Sequence, residues 1–258
     1  MRLEALLGTL GSLAKGAGLS EPFVVGGFPR DRLLGLRPAQ AKDLDITTGD
    51  RDCLALALLA SRQWPDASFR SYDDGHSSLA FRNIRVDFSN NFVLPGIDGE
   101  LAKRGIGKPT GLQREMFSRD FTVNTLLQPM DLSRRPHDPT GGALADLEAR
   151  LLRTPVDPNM TVGHDARRIL RAIKLSLRFG FEIDKGLGEA MLRYRGAVGQ
   201  LPAGHVRRQV HQMFRMDARR AIGLLSEYGL LPVIPLSRLM AMEMAKHRMV
   251  QHLLDSRP

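Results

Sequence analysis

The sequence predicts an α+β fold, with a small mixed-sheet domain over residues 1–140 and an all-helical one over residues 141–258. Three observations carry this. Short alternating apolar runs are interleaved with helical patterns as far as Phe88. Strand signals then fade past the Pro- and Gly-containing stretch 136–142. The remainder reads as successive helices broken at Pro155, Pro158, Gly186, Pro202, Gly229 and Pro232.

Taken in order, Leu3, Leu6, Leu7, Leu10 and Leu13 recur at helical spacing until Gly16, Gly18 and Pro22 end the helix. Residues 23–25, FVV, form a short buried strand that runs into Gly26 and Gly27. A helix starts within residues 30–35, residues 43–47 alternate as a strand, and residues 51–62 are an apolar helix. Leu79 and Phe81, then Ile84, Val86 and Phe88, form a hairpin turning near Arg82 and Asn83. The polar stretch 96–108 reads as a mobile loop. Met240, Met242, Met244 and Met249, near Leu236 and Leu239, read as adaptable helix-packing core.

With 258 residues, 43% of them hydrophobic, the chain is long enough for two modest cores. Its one cysteine, Cys53, lies in an apolar run, which excludes a disulfide framework or a cysteine-rich metal site and suits a reducing, cytoplasmic setting. No signal peptide or membrane span is expected, because the N-terminal apolar stretch carries charges and no segment reaches spanning length. The net charge of +9 is unevenly spread: −1 over residues 1–149, +9 over 150–220 and +1 over 221–258. A near-neutral half joined to a basic segment suits a polyanion surface beside a separate chemical centre, and a solvated basic helix face gives the same pattern.

The chemistry points to carboxylates. In a strand, residues two apart share a side, so Asp43 and Asp45 of KDLDIT face together while Leu44 and Ile46 face the core. Asp87 in RVDFSN has the same apolar flanks, and a neighbouring strand would bring it onto the same surface. Crowded carboxylates repel unless cations neutralise them, and oxygen-only ligands suit Mg²⁺ or Mn²⁺. This implies two-metal phosphoryl transfer, of which nucleotidyl transfer is one form. Gly26 and Gly27 stand between a strand and a helix, where bare backbone can approach phosphates. Either feature alone arises often by chance. Their spacing, with Asp43 sixteen residues after Gly27, is more specific.

The run GGFPRDRLLGLRPAQAKDLDITT resembles the GG-x-x-RD…D-x-D-x-x-T signature of class II nucleotidyltransferases, the tRNA CCA-adding enzymes and bacterial poly(A) polymerases. Further segments follow in family order. SRDFTVNTL resembles R-R-D-F-T-x-N-A, DPTGGALADLEARLLRT resembles D-x-x-G-G-x-x-D-L…I-R, and HDARRILRAIKLSLRFGF resembles E-D-P-x-R-I-L-R-A-x-R-F. The resemblance covers residues 24–181. It implies a polymerase β-like nucleotidyltransferase head, a helical neck and a short body without the family's longer tail. It also implies template-independent addition of CMP or AMP to the tRNA 3′ end.

Carried over by position, the resemblance makes Asp43, Asp45 and Asp87 the catalytic metal ligands, and Gly26, Gly27 and Arg30 neighbours of the nucleotide. Arg119, Asp120 and Asn124 would contact the nucleotide's sugar and phosphates and favour ribonucleotides. Asp165 and Arg168, three apart, would lie on one helix face and read the ATP or CTP base by donors and acceptors. Ser118 and His164 replace the family's arginine and glutamate. Arg167, Arg171, Lys174 and Arg178 form a stripe opposite Ile169, Leu170, Ile173 and Leu177, suited to RNA phosphates or to bulk water. No basic stretch of the poly(A) polymerase type occurs, which favours tRNA over poly(A) addition. A noncatalytic RNA-binding protein is the alternative from another class. Oligomeric state is left open.

Overall fold

A computed structural model of the chain describes residues 2–36, 43–73, 75–89 and 93–234. Two compact units divide between Thr161 and Val162. The divide falls past the 136–142 stretch because the segment after it is tied back into the first unit. The Thr122 hydroxyl donates to Asp146 at 2.7 Å, and the Thr122 amide donates to the Arg153 carbonyl at 2.8 Å.

The first unit is built on a six-stranded mixed sheet. Its strands are β1 (Phe23–Val25), β2 (Asp43–Thr47), β3 (Ser68–Ser71), β4 (Ser77–Ala80), β5 (Arg85–Phe88) and β6 (Gln128–Pro129), in the spatial order β3-β4-β5-β2-β1-β6. β2 runs antiparallel to β1 and parallel to β5, while β4 and β5 form the expected hairpin. Helices α1 (Leu3–Gly16) and α3 (Asp52–Gln63) cover one face. Leu6, Leu7 and Leu10 of α1 and Leu56, Ala57 and Ala60 of α3 are fully buried there against Val24, Leu44, Ile46, Leu79 and Val86. α1 is helical because its leucines fall on one stripe at helical period, and removing that stripe from water is what holds the helix to the sheet.

Between β1 and β2 lies α2 (Gly27–Leu33). The stretch 96–108, expected to be a mobile loop, instead holds α4 (Ile97–Lys103). Ile97 and Leu101, one turn apart, are buried beside Leu94, Phe117 and Val156, and two anchors on one face suffice to fix a short helix whose other positions are small or charged. α5 (Gly111–Phe117) follows, opened by a capping box between Thr110 and Gln113, then a 3-10 turn over Thr122–Asn124 and α6 (Ala143–Glu148).

Helix α7 (Pro158–His164) carries the chain across the divide. The second unit holds α8 (Arg167–Phe179), α9 (Lys185–Val198) and α10 (Ala203–Glu227), with α8 packed along α10. Gly180 ends α8 in the left-handed conformation, and the Asp184 carboxylate caps α9 by accepting from the Gly186 amide at 3.0 Å. α10 is interrupted at Asp217, whose backbone is extended and whose carboxylate accepts from the Arg220 amide, restarting the helix. The methionine-rich segment from Leu236 onward lies outside the described residues. No helix among the described residues is long and apolar enough to cross a membrane.

Leu56 lies in this core and away from the polar sheet face. Leu56→Ala is expected to cost about 2–5 kcal/mol of unfolding free energy, read from urea denaturation; a loss below about 1 kcal/mol would show that the packing around α3 is not as described.

Candidate active site

β2 has to serve two environments. Its burial alternates at first, with Asp43 exposed, Leu44 buried, Asp45 exposed and Ile46 buried, so the acids and the core residues leave on opposite sides. The parallel pairing with β5 puts Asp43 in register with Arg85 and Asp45 in register with Asp87. All four polar side chains therefore share one sheet face, opposite Val86 and Phe88. The shared surface expected for Asp87 is formed, with a basic neighbour the sequence reading did not include. Arg85 Nε donates to Asp87 Oδ1 at 2.8 Å. Among the described residues no three His, Cys, Asp or Glu side chains are grouped closely enough to hold one metal ion.

At the end of β1 the backbone turns at Gly26, with φ of 75° and ψ of −130°, a conformation open to glycine and strained for other residues. A Cβ placed there would stand 2.8 Å from Asp45 Oδ2 and 3.4 Å from Arg119 Nη1. The bare turn thus lets an acid, a guanidinium and the main chain converge on one point.

Arg119 is held from below by a residue that sequence reasoning missed. Glu115, one turn earlier and only 3% exposed, accepts from Arg119 Nη2 at 2.8 Å and from the Thr47 hydroxyl at 2.6 Å. Thr47 Oγ1 in turn accepts from the Gly49 amide at 2.9 Å. Thr47 is two residues beyond Asp45, so Glu115 couples the strand bearing the acids to the arginine beside Gly26. The E-x-x-x-R spacing was visible, but an i, i+4 pair is ordinarily a surface feature, and only burial marks this one.

A second network lies beneath α2. Asp120 Oδ1 accepts from Asn124 Nδ2 and from the Phe121 amide, both at 2.9 Å. Asn124 Oδ1 accepts from Arg30, which is 5% exposed and also donates to Asp31. Arg30, Asp120 and Asn124 are thus brought together as buried, mutually orienting groups. Ser118, where the resemblance called for arginine, is fully buried, and its hydroxyl accepts from the Leu94 amide at 2.9 Å. An arginine there would have to bury a charge and give up that hydrogen bond.

In the second unit the expected placement of Asp165 and Arg168 on one helix is not formed. α7 ends at His164 and α8 starts at Arg167, leaving Asp165 in the break. Its carboxylate accepts from both the amide and Nε of Arg167, at 2.9 and 2.8 Å, and so works as a start signal for α8. Burial draws the Asp165 pKa upward, but these hydrogen bonds and the charges of Arg167 and Arg168 outweigh it and hold it below the usual carboxylate value. Arg168 is buried. Of the basic stripe, Arg167, Arg171 and Arg178 are exposed, while Lys174 is half-buried and donates to Gln209 of α10 at 2.8 Å. Burial, then the charges of Arg171 and Arg178, lowers the Lys174 pKa.

No family model matches the chain. It is 30% identical over 239 residues to a CCA-adding enzyme of Geobacillus sp. strain WCH70, which covers 92% of this chain and 56% of that protein. It is 28% identical over 217 residues to a CC-adding tRNA nucleotidyltransferase of Shouchella clausii, covering 83% of this chain and 50% of that protein. The chain therefore spans about half the length of the curated relatives it matches. Among solved structures, the Thermotoga maritima CCA-adding enzyme complexed with tRNA superposes with a TM-score of 0.69 at 22% identity, over 90% of this chain and 55% of that one, and so shares the fold. A sheet that sets Asp43 and Asp45 beside a glycine turn, in a chain whose relatives are these enzymes, belongs to the class II nucleotidyltransferase family.

Proposed function

We propose that this protein adds CMP and AMP, as all or part of CCA, to the 3′ end of tRNA without a template. The observation that carries this reading is the convergence of Asp45 and Arg119 on the bare Gly26 turn, with Asp43 on the same strand.

Asp43 and Asp45 offer hard, exposed oxygen donors on one face and fit Mg²⁺ or Mn²⁺, with Asp87 as the third acid on the neighbouring strand. Bound there, such ions would supply the means to lower the pKa of an attacking 3′-hydroxyl and to neutralise charge on the triphosphate and pyrophosphate. Everything else falls to the protein. The unobstructed backbone at Gly26 and Gly27 lets the triphosphate lie against the chain. Arg119, oriented by Glu115, supplies a fixed positive group beside it. Asn124, held between Arg30 and Asp120, presents a polar amide for the ribose, where a 2′-hydroxyl contact would favour ribonucleotides. In the second unit, the Asp165 carboxylate and the Arg168 guanidinium at the start of α8 are an acceptor and a donor of the kind that a base edge would pair with. Arg167, Arg171, Lys174 and Arg178 would take RNA phosphates. The reading places this work in the cytoplasm, in keeping with the lone, buried, reduced Cys53.

The direct test incubates the protein with labelled ATP or CTP and a tRNA lacking its CCA end, in Mg²⁺ or Mn²⁺, followed by product sequencing. The expected products are C, CC or CCA extensions. Runs of A alone on any RNA would instead favour poly(A) addition, and RNA binding without incorporation would favour a noncatalytic role. Asp43→Asn with Asp45→Asn is expected to lower incorporation by about 10³-fold or more, the scale of several kcal/mol of lost charge stabilisation; unchanged incorporation would defeat the mechanism.

Gly26→Ala tests the turn. The backbone strain is expected to cost about 1–3 kcal/mol of stability by thermal unfolding. Displacement of Asp45 and Arg119 is expected to lower kcat/KM by about 10²-fold, the scale of a 1 Å misplacement. Near-normal kinetics would show that the close approach at Gly26 serves no catalytic purpose.

A further inference from the structure

Three carboxylates on two adjacent strands are an unfavourable arrangement by themselves, and β5 carries its own answer. Arg85 stands opposite Asp43 in the β2–β5 register and two residues from Asp87 on the same face. Its Nε donates to Asp87 at 2.8 Å, with the Arg85 side chain 49% and the Asp87 side chain 28% exposed. The guanidinium thus sits within the field of two of the three acids, and no trio of acids gathers among the described residues.

We propose that Arg85 is a resident competitor for the divalent cation: it occupies Asp87 in the metal-free protein, so that Asp87 can join an ion held at Asp43 and Asp45 only when the ion pair opens. Arg85 is then a positioning residue that acts through Asp87. An ion that gains from all three acids must bind the fraction of molecules whose Asp87 has been released, and its apparent affinity falls by that fraction. Because the pair is partly exposed, the latch is a modest one. Its strength is that of a surface ion pair, about twofold to fivefold in a binding constant.

The inference rests on the metal-binding reading of Asp43 and Asp45, and Mn²⁺ binding to the whole protein without nucleotide, followed by the electron paramagnetic resonance signal of free Mn²⁺, separates the two. If the unaltered protein binds no Mn²⁺, or if Asp43→Asn with Asp45→Asn binds as well as it does, the metal reading itself falls. If that reading stands, Arg85→Gln is expected to bind Mn²⁺ about threefold to fivefold more tightly, while Arg85→Lys, which keeps the cation, stays within about twofold of the unaltered protein. Asp87→Asn alone is expected to shift affinity less than about twofold, and Arg85→Gln with Asp87→Asn to bind no tighter than Asp87→Asn. Unchanged or weaker binding in Arg85→Gln, or a gain that survives in the double variant, overturns the proposal. So does a loss of more than about threefold in Asp87→Asn alone, which would mean that Asp87 already ligates the ion; this arm does not depend on the Arg85 variants.

Discussion

The site depends on the two-residue period of β2. Leu44 and Ile46 are fully buried against α1 and α3, and that burial fixes which way Asp43 and Asp45 must point. A slip of one residue in register would bury two carboxylates and expose two aliphatic side chains, a change far costlier than any single contact in the site. The core therefore orients the acids, and the register with β5 then decides which groups they meet.

What they meet is a set of charges balanced mostly by the protein itself. Asp87 lies against Arg85, Glu115 against Arg119, and Arg30 between Asp31 and Asn124. The buried members matter most, because a carboxylate such as Glu115 is tolerable away from water only when its oxygens are met, here by Thr47 and Arg119. Such a network is stiff. Arg119 is thereby held beside the Gly26 turn as a fixed group.

The second unit follows a different logic. Asp165 uses its carboxylate on the amide and side chain of Arg167, so the same acid begins a helix and sets the first member of a basic stripe. Lys174, farther along, is turned toward Gln209 and Gln212 of α10 and so differs from its exposed neighbours Arg171 and Arg178. A stripe that is uniform in sequence is uneven in surroundings, because α10 covers one part of it.

Much of this was legible in the residues. The leucine stripe of α1, the alternation of β2 and the β4–β5 hairpin each follow from a local period, and local periods need no knowledge of distant chain. The ordered motifs from Val24 to Phe181 pointed to the family for the same reason. Helix α4 and strand β3 escaped, since each owes its form to a few anchors supplied by remote segments: Ile97 and Leu101 meet Phe117 and Val156, and β3 is defined by its pairing with β4. By itself, then, the sequence determined the α+β class, the carboxylate face of β2 and the glycine turn beside it. Only the tertiary structure decided that Arg85 would hold Asp87, that Glu115 would be buried under Arg119, and that Asp165 would fall in a helix break. Those outcomes turn on strand register and on burial, and both are set by contacts between residues far apart in the chain.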